Sequence, residues 1–171
     1  MYERILVPLD GSATSKDGLN EAIRLAAISG GQLRLMHALD EISFPFAYES
    51  AMAYADHWHD LLREDGEAIL SHAHETAKAA GVRCETCLSD SSAFPVYQRI
   101  ASEADRWKAD LIVTGTHGRH GVQRWLLGST AEGVVRHASK PVLLVRGTEH
   151  PSDPAKQFER TDQRRVAAIL S

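Results

Sequence analysis

Five short, mostly apolar segments along the chain predict the strands of one sheet. A continuous apolar run of four to eight residues is typical of a strand covered on both faces, as in a parallel sheet. The segment at 4–9 is the clearest case, and it ends in the turn signal Asp10-Gly11-Ser12. In chain order the predicted strands cover residues 4–9, 32–38, 82–88, 111–113 and 142–145.

Helical periodicity fills the interval between the first two strands. Apolar residues recur there at i, i+3, i+4, i+7 and i+8, which is one face of a helix. These residues are Leu19, Ala22, Ile23, Ala26 and Ala27. Ser12 or Thr14 can cap the start of this helix, and Gly30 with Gly31 ends it.

Three further helices are predicted along the rest of the chain. A long one stops at Gly81, and the next contains Ile100 and can be capped by Ser91 or Ser92. The last passes through Val134, just before the final strand.

The alternation of strand and helix predicts the fold class. Strand and helix alternate five times, so we expect an α/β protein with an open, five-stranded, mainly parallel sheet and helices on both faces, as in Rossmann-like folds. From Gly147 onward the composition shifts to Pro, Asp, Gln and Arg with little apolar periodicity. We therefore expect one domain over residues 1–146 and a C-terminal extension over residues 147–171.

Composition and charge narrow the range of functions. The 171 residues are 43% hydrophobic and 25% charged, as in an ordinary globular domain. The formal net charge is −4 without a basic block, which argues against nucleic-acid binding. No apolar run approaches the roughly 20 residues that a membrane span needs, and we recognise no signal peptide. Two cysteines do not make a disulfide framework, so a cytoplasmic location is the default expectation.

A glycine-rich segment carries the strongest functional signal. It has the pattern Gly115-x2-Gly118-x9-Gly128-Ser129-Thr130, follows a predicted strand and opens a helix. Glycines let a backbone approach a ligand closely, and the N–H groups of such a loop and of a helix N-terminus attract anions. An ordinary glycine-rich surface loop is the competing interpretation. Position at the carboxyl end of a strand, where open α/β sheets bind ligands, favours a phosphate-binding loop.

Four segments resemble a known family. Residues 109–113, the glycine-rich loop and residues 136–145 resemble the C-terminal signature of the universal stress protein family. Residues 5–12 are similar to the N-terminal signature of the same family. The resemblance covers residues 1–146 and is weakest across residues 40–90.

The resemblance implies a strand order of 3-2-1-4-5, a dimer, and ATP at the carboxyl ends of strands one and four, for which we expect Mg²⁺ as the accompanying ion. It also implies that Pro8 and Asp10 lie at the end of the first strand, with Asp10 accepting a hydrogen bond from a ribose hydroxyl. Ala38 would flank the adenine. The residues implied to hold the phosphates and ribose are Gly115, Gly118, Gly128, Ser129 and Thr130.

Other polar residues have ordinary explanations. Cys84 and Cys87 form a C-x-x-C, but in a strand positions three apart face opposite sides, so we expect two unpaired thiols. Histidines two apart on a helix do not share a face, so the pairs at 57/59 and 72/74 are expected to be solvated. Within the glycine-rich loop, either His117 or His120 could contact a phosphate. Asp10 could instead simply cap the first helix.

These observations favour a nucleotide-dependent regulator of the stress response, read by unidentified protein partners. The alternative is an enzyme, a slow ATPase or phosphotransferase, but we find no convincing catalytic base beyond Asp10, which is assigned to the ribose, and no metal ligand. A structural adaptor with a vestigial pocket is a third hypothesis, against which the intact glycines argue.

We further expect a homodimer through the fifth strand, whose apolar run at 142–145 lies at the sheet edge. Alternatively, residues 148–171 fold back over that edge and leave a monomer.

Overall fold

The structure, a computed structural model, describes residues 2–40, 51–91, 93–116 and 127–147, with side chains omitted at 51–58. These residues form five parallel strands in the order β3-β2-β1-β4-β5. The fold class and strand order expected from the sequence are therefore confirmed. The elements are β1 Arg4–Pro8, α1 Ala13–Ser29, β2 Gln32–Ala38, α2 Ala51–Ala79, β3 Arg83–Ser89, α3 Val96–Arg106, β4 Leu111–Gly115, α4 Ser129–His137 and β5 Val142–Val145.

Each face of the sheet has its own apolar core. In β1, Ile5 and Val7 pack on the side covered by α1 and α2, whereas Leu6 packs on the side covered by α3 and α4. The helices are divided in this way because parallel strands are joined by right-handed crossovers. The chain moves outward from β1 to β3, then returns past β1 to β4 and β5, and this reversal of direction sends α3 and α4 to the opposite face.

Local signals define both ends of α1. The Ser12 side chain accepts a hydrogen bond from the Ser15 N–H at 3.1 Å, so Ser12 is the N-cap. Gly30 ends the helix with a φ of 70°, a conformation that glycine adopts without steric cost. Both assignments agree with the sequence prediction.

The start of α3 differs from the prediction that Ser91 or Ser92 caps it. The N-cap is Pro95, which makes no side-chain capping bond, and the helix begins at Val96. A proline disfavours the helical conformation in the residue before it, so the helix cannot extend back toward the serines. Ser91 instead accepts a hydrogen bond from the Ala93 N–H at 3.4 Å, and Ser92 lies outside the described residues.

The N-terminus of α1 packs directly on the end of β4. A Cβ at Gly115 would lie 2.8 Å from the backbone carbon and oxygen of Thr14. On the facing side, a Cβ at Gly18 would lie 3.4 Å from the Gly115 nitrogen. The two glycines therefore allow helix and strand backbones to approach closely. Among the described residues, no helix is long and apolar enough to cross a bilayer.

Candidate functional site

The strand order predicts a crevice at the carboxyl edge of the sheet, near its centre. β1 and β4 are neighbours, but the chain leaves β1 toward β2 and leaves β4 toward β5, on the opposite side. Such a reversal opens the crevice in which open α/β sheets bind ligands. Pro8 is the last residue of β1 and Gly115 is the last residue of β4, so both lie at this point. Ala38 ends the adjacent strand β2.

Backbone hydrogen bonds bring the described ends of the glycine-rich loop together. The Gly128 N–H donates to the Thr116 carbonyl at 2.8 Å, and the Thr116 N–H donates to the Val145 carbonyl at 3.0 Å. The start of α4 is thereby held beside the ends of β4 and β5. Gly118, His117 and His120 lie between these anchors and outside the described residues.

The N-terminus of α4 presents unpaired backbone donors. Gly128 is its N-cap and offers no side chain, and the first helical bond runs from the Glu132 N–H to the Gly128 carbonyl at 2.9 Å. The N–H groups of Ser129, Thr130 and Ala131 consequently have no partner among the described residues, as the first turn of a helix requires. Ser129 and Thr130 are also exposed. Free N–H groups and the positive end of the helix dipole make this terminus suited to an anion.

Asp10 lies where β1 gives way to α1. Its Oδ1 accepts a hydrogen bond from the Ser12 N–H at 2.9 Å, forming a tight turn ahead of the helix. The N-cap itself is Ser12, so the alternative in which Asp10 caps α1 is wrong. The carboxylate is half-buried at the edge of the crevice.

Two buried side chains, neither of which the sequence analysis singled out, hold the neighbouring strand ends. Arg99 donates from Nη1 to the Leu39 carbonyl at 2.7 Å, from Nε to the Ser89 hydroxyl at 3.0 Å, and from Nη2 to the Ser89 carbonyl. His37 donates from Nδ1 to the Leu9 carbonyl at 2.7 Å. These bonds fix the segments that follow β1, β2 and β3. An arginine on an amphipathic helix is usually exposed, so the sequence held no signal for the burial of Arg99.

The other chemically interesting residues lie away from the crevice. Cys84 packs with the α1–α2 face and Cys87 with the α3–α4 face, as expected for positions three apart in a strand, and both thiols are free. Burial raises the pKa of the Cys84 thiol, which makes it less reactive than an exposed thiol. His59 is not merely solvated, since its Nε2 lies 2.8 Å from Asp90 Oδ1. The described residues contain no cluster of three His, Cys, Asp or Glu suited to a metal ion.

Together these features define a class of protein: a doubly wound parallel α/β domain with an anion-attracting helix N-terminus at the crevice in its sheet. Comparison with known proteins gives the family. The profile of the universal stress protein family matches residues 1–146. A universal stress protein of Methanocaldococcus jannaschii is 34% identical over 146 residues, which cover 85% of this chain and 83% of that protein. The chain therefore belongs to the universal stress protein family.

Solved structures agree with this assignment. One is the structure of a hypothetical protein that was solved as a test case of structural genomics. It superposes on this chain with a TM-score of 0.72 and 23% sequence identity, over 88% of this chain and 99% of the other, which shows that the two share a fold. A universal stress protein in complex with cAMP has a TM-score of 0.59 and 29% identity, with coverage of 86% and 98%.

Proposed function

We propose that this chain is a nucleotide-dependent regulator in the stress response that binds ATP, with Mg²⁺, in the crevice between β1 and β4. The observation that carries the proposal is the uncapped N-terminus of α4, where three backbone N–H groups lack partners among the described residues. A family member of 29% identity in complex with cAMP supports an adenine nucleotide as the ligand.

The donor set of the crevice fits a triphosphate. Backbone N–H groups at Ser129, Thr130 and Ala131, with the hydroxyls of Ser129 and Thr130, would supply donors at the mouth of the helix, where the acidic Glu132 is paired with Arg136. Gly128, whose own N–H donates to Thr116, would contribute by its lack of a side chain. Gly115 and Gly118 would extend this cradle along the loop. The cradle would hold the phosphates and orient them along the axis of α4.

The nucleoside would lie over the ends of β1 and β2. Asp10 would accept a hydrogen bond from a ribose hydroxyl beside Pro8, while Ala38 would flank the adenine. The bonds from Arg99 and His37 keep these strand ends fixed, so that the ribose and base meet a preformed surface. Preformed surfaces reduce the ordering entropy that binding must overcome.

Mg²⁺ would be carried mainly by the nucleotide itself. Mg²⁺ keeps several waters and is commonly bound through phosphates and one or two carboxylates.

The hydrogen bond that Asp10 accepts in the turn before α1 favours a regulatory role over phosphoryl transfer. Transfer requires a group that positions or deprotonates the nucleophile beside the phosphates. Asp10 is engaged by the turn before α1 and is assigned to the ribose, which leaves it unsuited to act as a base. ATP would then act by stabilising one state of the protein for partner recognition. A homodimer and a cytoplasmic location remain predictions within this proposal.

Calorimetry on a loop variant tests the proposal. Gly128→Val should abolish ATP binding because its side chain would occupy the space where backbone and phosphate meet. The φ of Gly128 is −60°, which any residue adopts, so the variant should remain folded. The control Ala27→Val adds bulk on the exposed side of α1 and should bind ATP like the parent chain. Parental affinity in a folded Gly128→Val protein would contradict the phosphate-loop assignment.

Turnover and ligand identity complete the test. Mass spectrometry of the purified chain should find an adenine nucleotide, and incubation with ATP and Mg²⁺ should release no phosphate. Phosphate release that disappears in Gly128→Val would instead establish a slow ATPase. A chain that binds no nucleotide at all would favour the structural adaptor.

A further inference from the structure

A second pocket lies near the amino end of the sheet, on the face covered by α3 and α4. It has a volume of about 400 Å³ and lies between the start of β1, the side chain of Arg34 and the end of α3. The residues that line it are Arg4, Arg34, Glu103, Arg106, Trp107 and Lys108. This volume is within the range of small-molecule sites. The pocket lies away from the nucleotide crevice, which is at the carboxyl ends of the strands.

Two of the four cations around the pocket are neutralised by carboxylates. Arg34 Nε lies 2.8 Å from Glu103 Oε1, and Arg106 Nε donates to Glu103 Oε2 at 2.9 Å. Arg34 Nη1 also lies 3.3 Å from Glu85 Oε1, and Glu85 accepts a hydrogen bond from the indole N–H of Trp107. Glu103 is thus in ion-pair contact with both arginines, although Arg34 Nε and Glu103 Oε1 make no hydrogen bond within the described part of the chain.

The other two cations, Arg4 and Lys108, have no carboxylate within ion-pair distance among the described residues. The guanidinium carbon of Arg4 lies 4.5 Å from the centre of the Trp107 ring, and its Nε is a buried donor without a partner in the described part of the chain. The nearby Asp110 carboxylate accepts from the backbone N–H groups of Glu3 and Arg4 at 2.7 and 3.2 Å. A buried Nε without a hydrogen-bond partner, on an arginine without a carboxylate counter-ion, is a costly arrangement unless a ligand completes it.

The backbone conformation of Lys108 is unusual for a non-glycine residue. Its φ is +56°, which makes it the one non-glycine residue with a positive φ among those described. Glycine or asparagine is the common choice for a left-handed residue after a helix. Lys108 lines the pocket next to the buried Trp107, and its side chain is exposed.

We propose that this pocket binds a small phosphate anion, either inorganic or esterified to a small molecule. A guanidinium fork and an ammonium group match the oxygens and the double charge of phosphate. The C-terminal end of α3 opposes binding with about half a negative charge. The two unpaired cations outweigh it, and the volume leaves room for the organic part of an ester. The competing explanation is that the charged residues lining the pocket only cover the amino end of the apolar core and bind no ligand.

Fluorescence of Trp107 measures binding at this pocket directly. The chain has three tryptophans, so Trp58→Phe with Trp125→Phe leaves Trp107 as the single reporter. Titration with inorganic phosphate, against sodium chloride at equal ionic strength, should produce a saturable change in emission. Titration with glycerol 3-phosphate identifies the source, because tighter binding of the ester indicates an esterified ligand and tighter binding of phosphate an inorganic one.

Matched lysine variants distinguish phosphate binding at this pocket from nonspecific electrostatic attraction to the protein surface. Lys108→Met should weaken phosphate binding by about tenfold, through loss of one charge-assisted contact. Lys78→Met removes the same charge from an exposed position in the last turn of α2 and should leave the affinity unchanged. Calorimetry on the chain with all three tryptophans should give the same ranking.

Three results would overturn the proposal: no saturable change, equal affinity in Lys108→Met and the parent, or equal weakening in both lysine variants. Phosphate binding in the nucleotide crevice would persist in Lys108→Met and disappear in Gly128→Val, so the two sites are distinguished. The pocket does not depend on the nucleotide proposal.

Discussion

Glycines at the two ends of the same loop have different physical reasons to be glycine. A Cβ at Gly115 would strike the Thr14 backbone, so Gly115 serves the packing of α1 on β4. Gly128 has an ordinary φ and caps α4 without a side-chain hydrogen bond, so its proposed value is that it leaves the backbone N–H groups of the first turn accessible. One motif therefore contains a packing position and a proposed ligand position.

Gly115→Ala is expected to lower the free energy of unfolding by about 1–3 kcal/mol, because the methyl group forces α1 away from β4. Denaturant unfolding measures the loss, with Gly128→Ala as the control that should lose less, because alanine is only a poorer N-cap at that position and has an ordinary φ there. Equal stability of the two variants would show that α1 can shift without cost.

Asp10→Asn separates the charge of Asp10 from its role in the turn. Asparagine keeps an oxygen that can accept from the Ser12 N–H, so unfolding should change little. ATP affinity should fall by about 1–3 kcal/mol, the loss of a hydrogen bond to a charged group. Asp10→Ala, the control, should lose both affinity and stability. Unchanged calorimetric affinity in the asparagine variant would remove Asp10 from the ribose site.

Among the elements, β5 is at the edge of the sheet with one side unpaired within the described chain. Val142 and Leu143 pack inward against the two opposite cores, whereas Leu144 is 37% exposed. An apolar edge strand invites pairing with another chain, and a two-fold axis would let two such edges cover each other. We therefore place the interface of the proposed homodimer at β5.

Leu144→Lys is expected to convert the proposed dimer to a monomer, measured by light scattering at micromolar concentration. Leu143 is a poorer choice, since a lysine there would also disturb the core of its own chain. Ile28→Lys places the same charge on α1 at a residue that is 72% exposed, the highest value among the described large hydrophobic residues, and should leave the dimer intact. A parent chain that is monomeric, or a dimer indifferent to Leu144→Lys, would contradict the interface.

For the whole molecule, Gly147 is the last residue that the structure describes. The family profile ends at residue 146, and a Cβ at Gly147 would lie 2.5 Å from the Thr14 methyl group, so the chain is still packed on α1 there. The extension expected over residues 147–171 lies beyond this point and, after Gly147, outside the described residues.

A chain ending at Gly147 is expected to fold with nearly the parental thermal midpoint, to bind ATP equally and to remain dimeric. Thermal unfolding, calorimetry and light scattering check the three properties. Conversion from a full-length monomer to a truncated dimer would show instead that the extension covers β5. Loss of folding would place the extension within the domain.

Local pattern determined most of the fold. All five strands were predicted, with bounds within two residues of those observed, because a buried strand needs a continuous apolar run wherever its partners lie. The caps of α1 followed from the short-range chemistry of Ser12 and Gly30. The strand order and the implied site residues came from the family resemblance, since periodicity carries no information about which strands are neighbours.

The error at α3 shows where local pattern fails. A serine before a helical pattern is a common N-cap, but Pro95 is closer to the helix and restricts the residue before it.

Only the tertiary structure decided contacts between residues that are distant in sequence. Arg99 is buried because the ends of β2 and β3 converge on it, and Gly115 is crowded because α1 crosses β4. The pocket around Trp107 joins side chains from β1, β2 and α3 whose sequence neighbours give no hint of one another. Hydrophobic periodicity reports which face of an element is covered, whereas the identity of the covering atoms depends on how the elements pack.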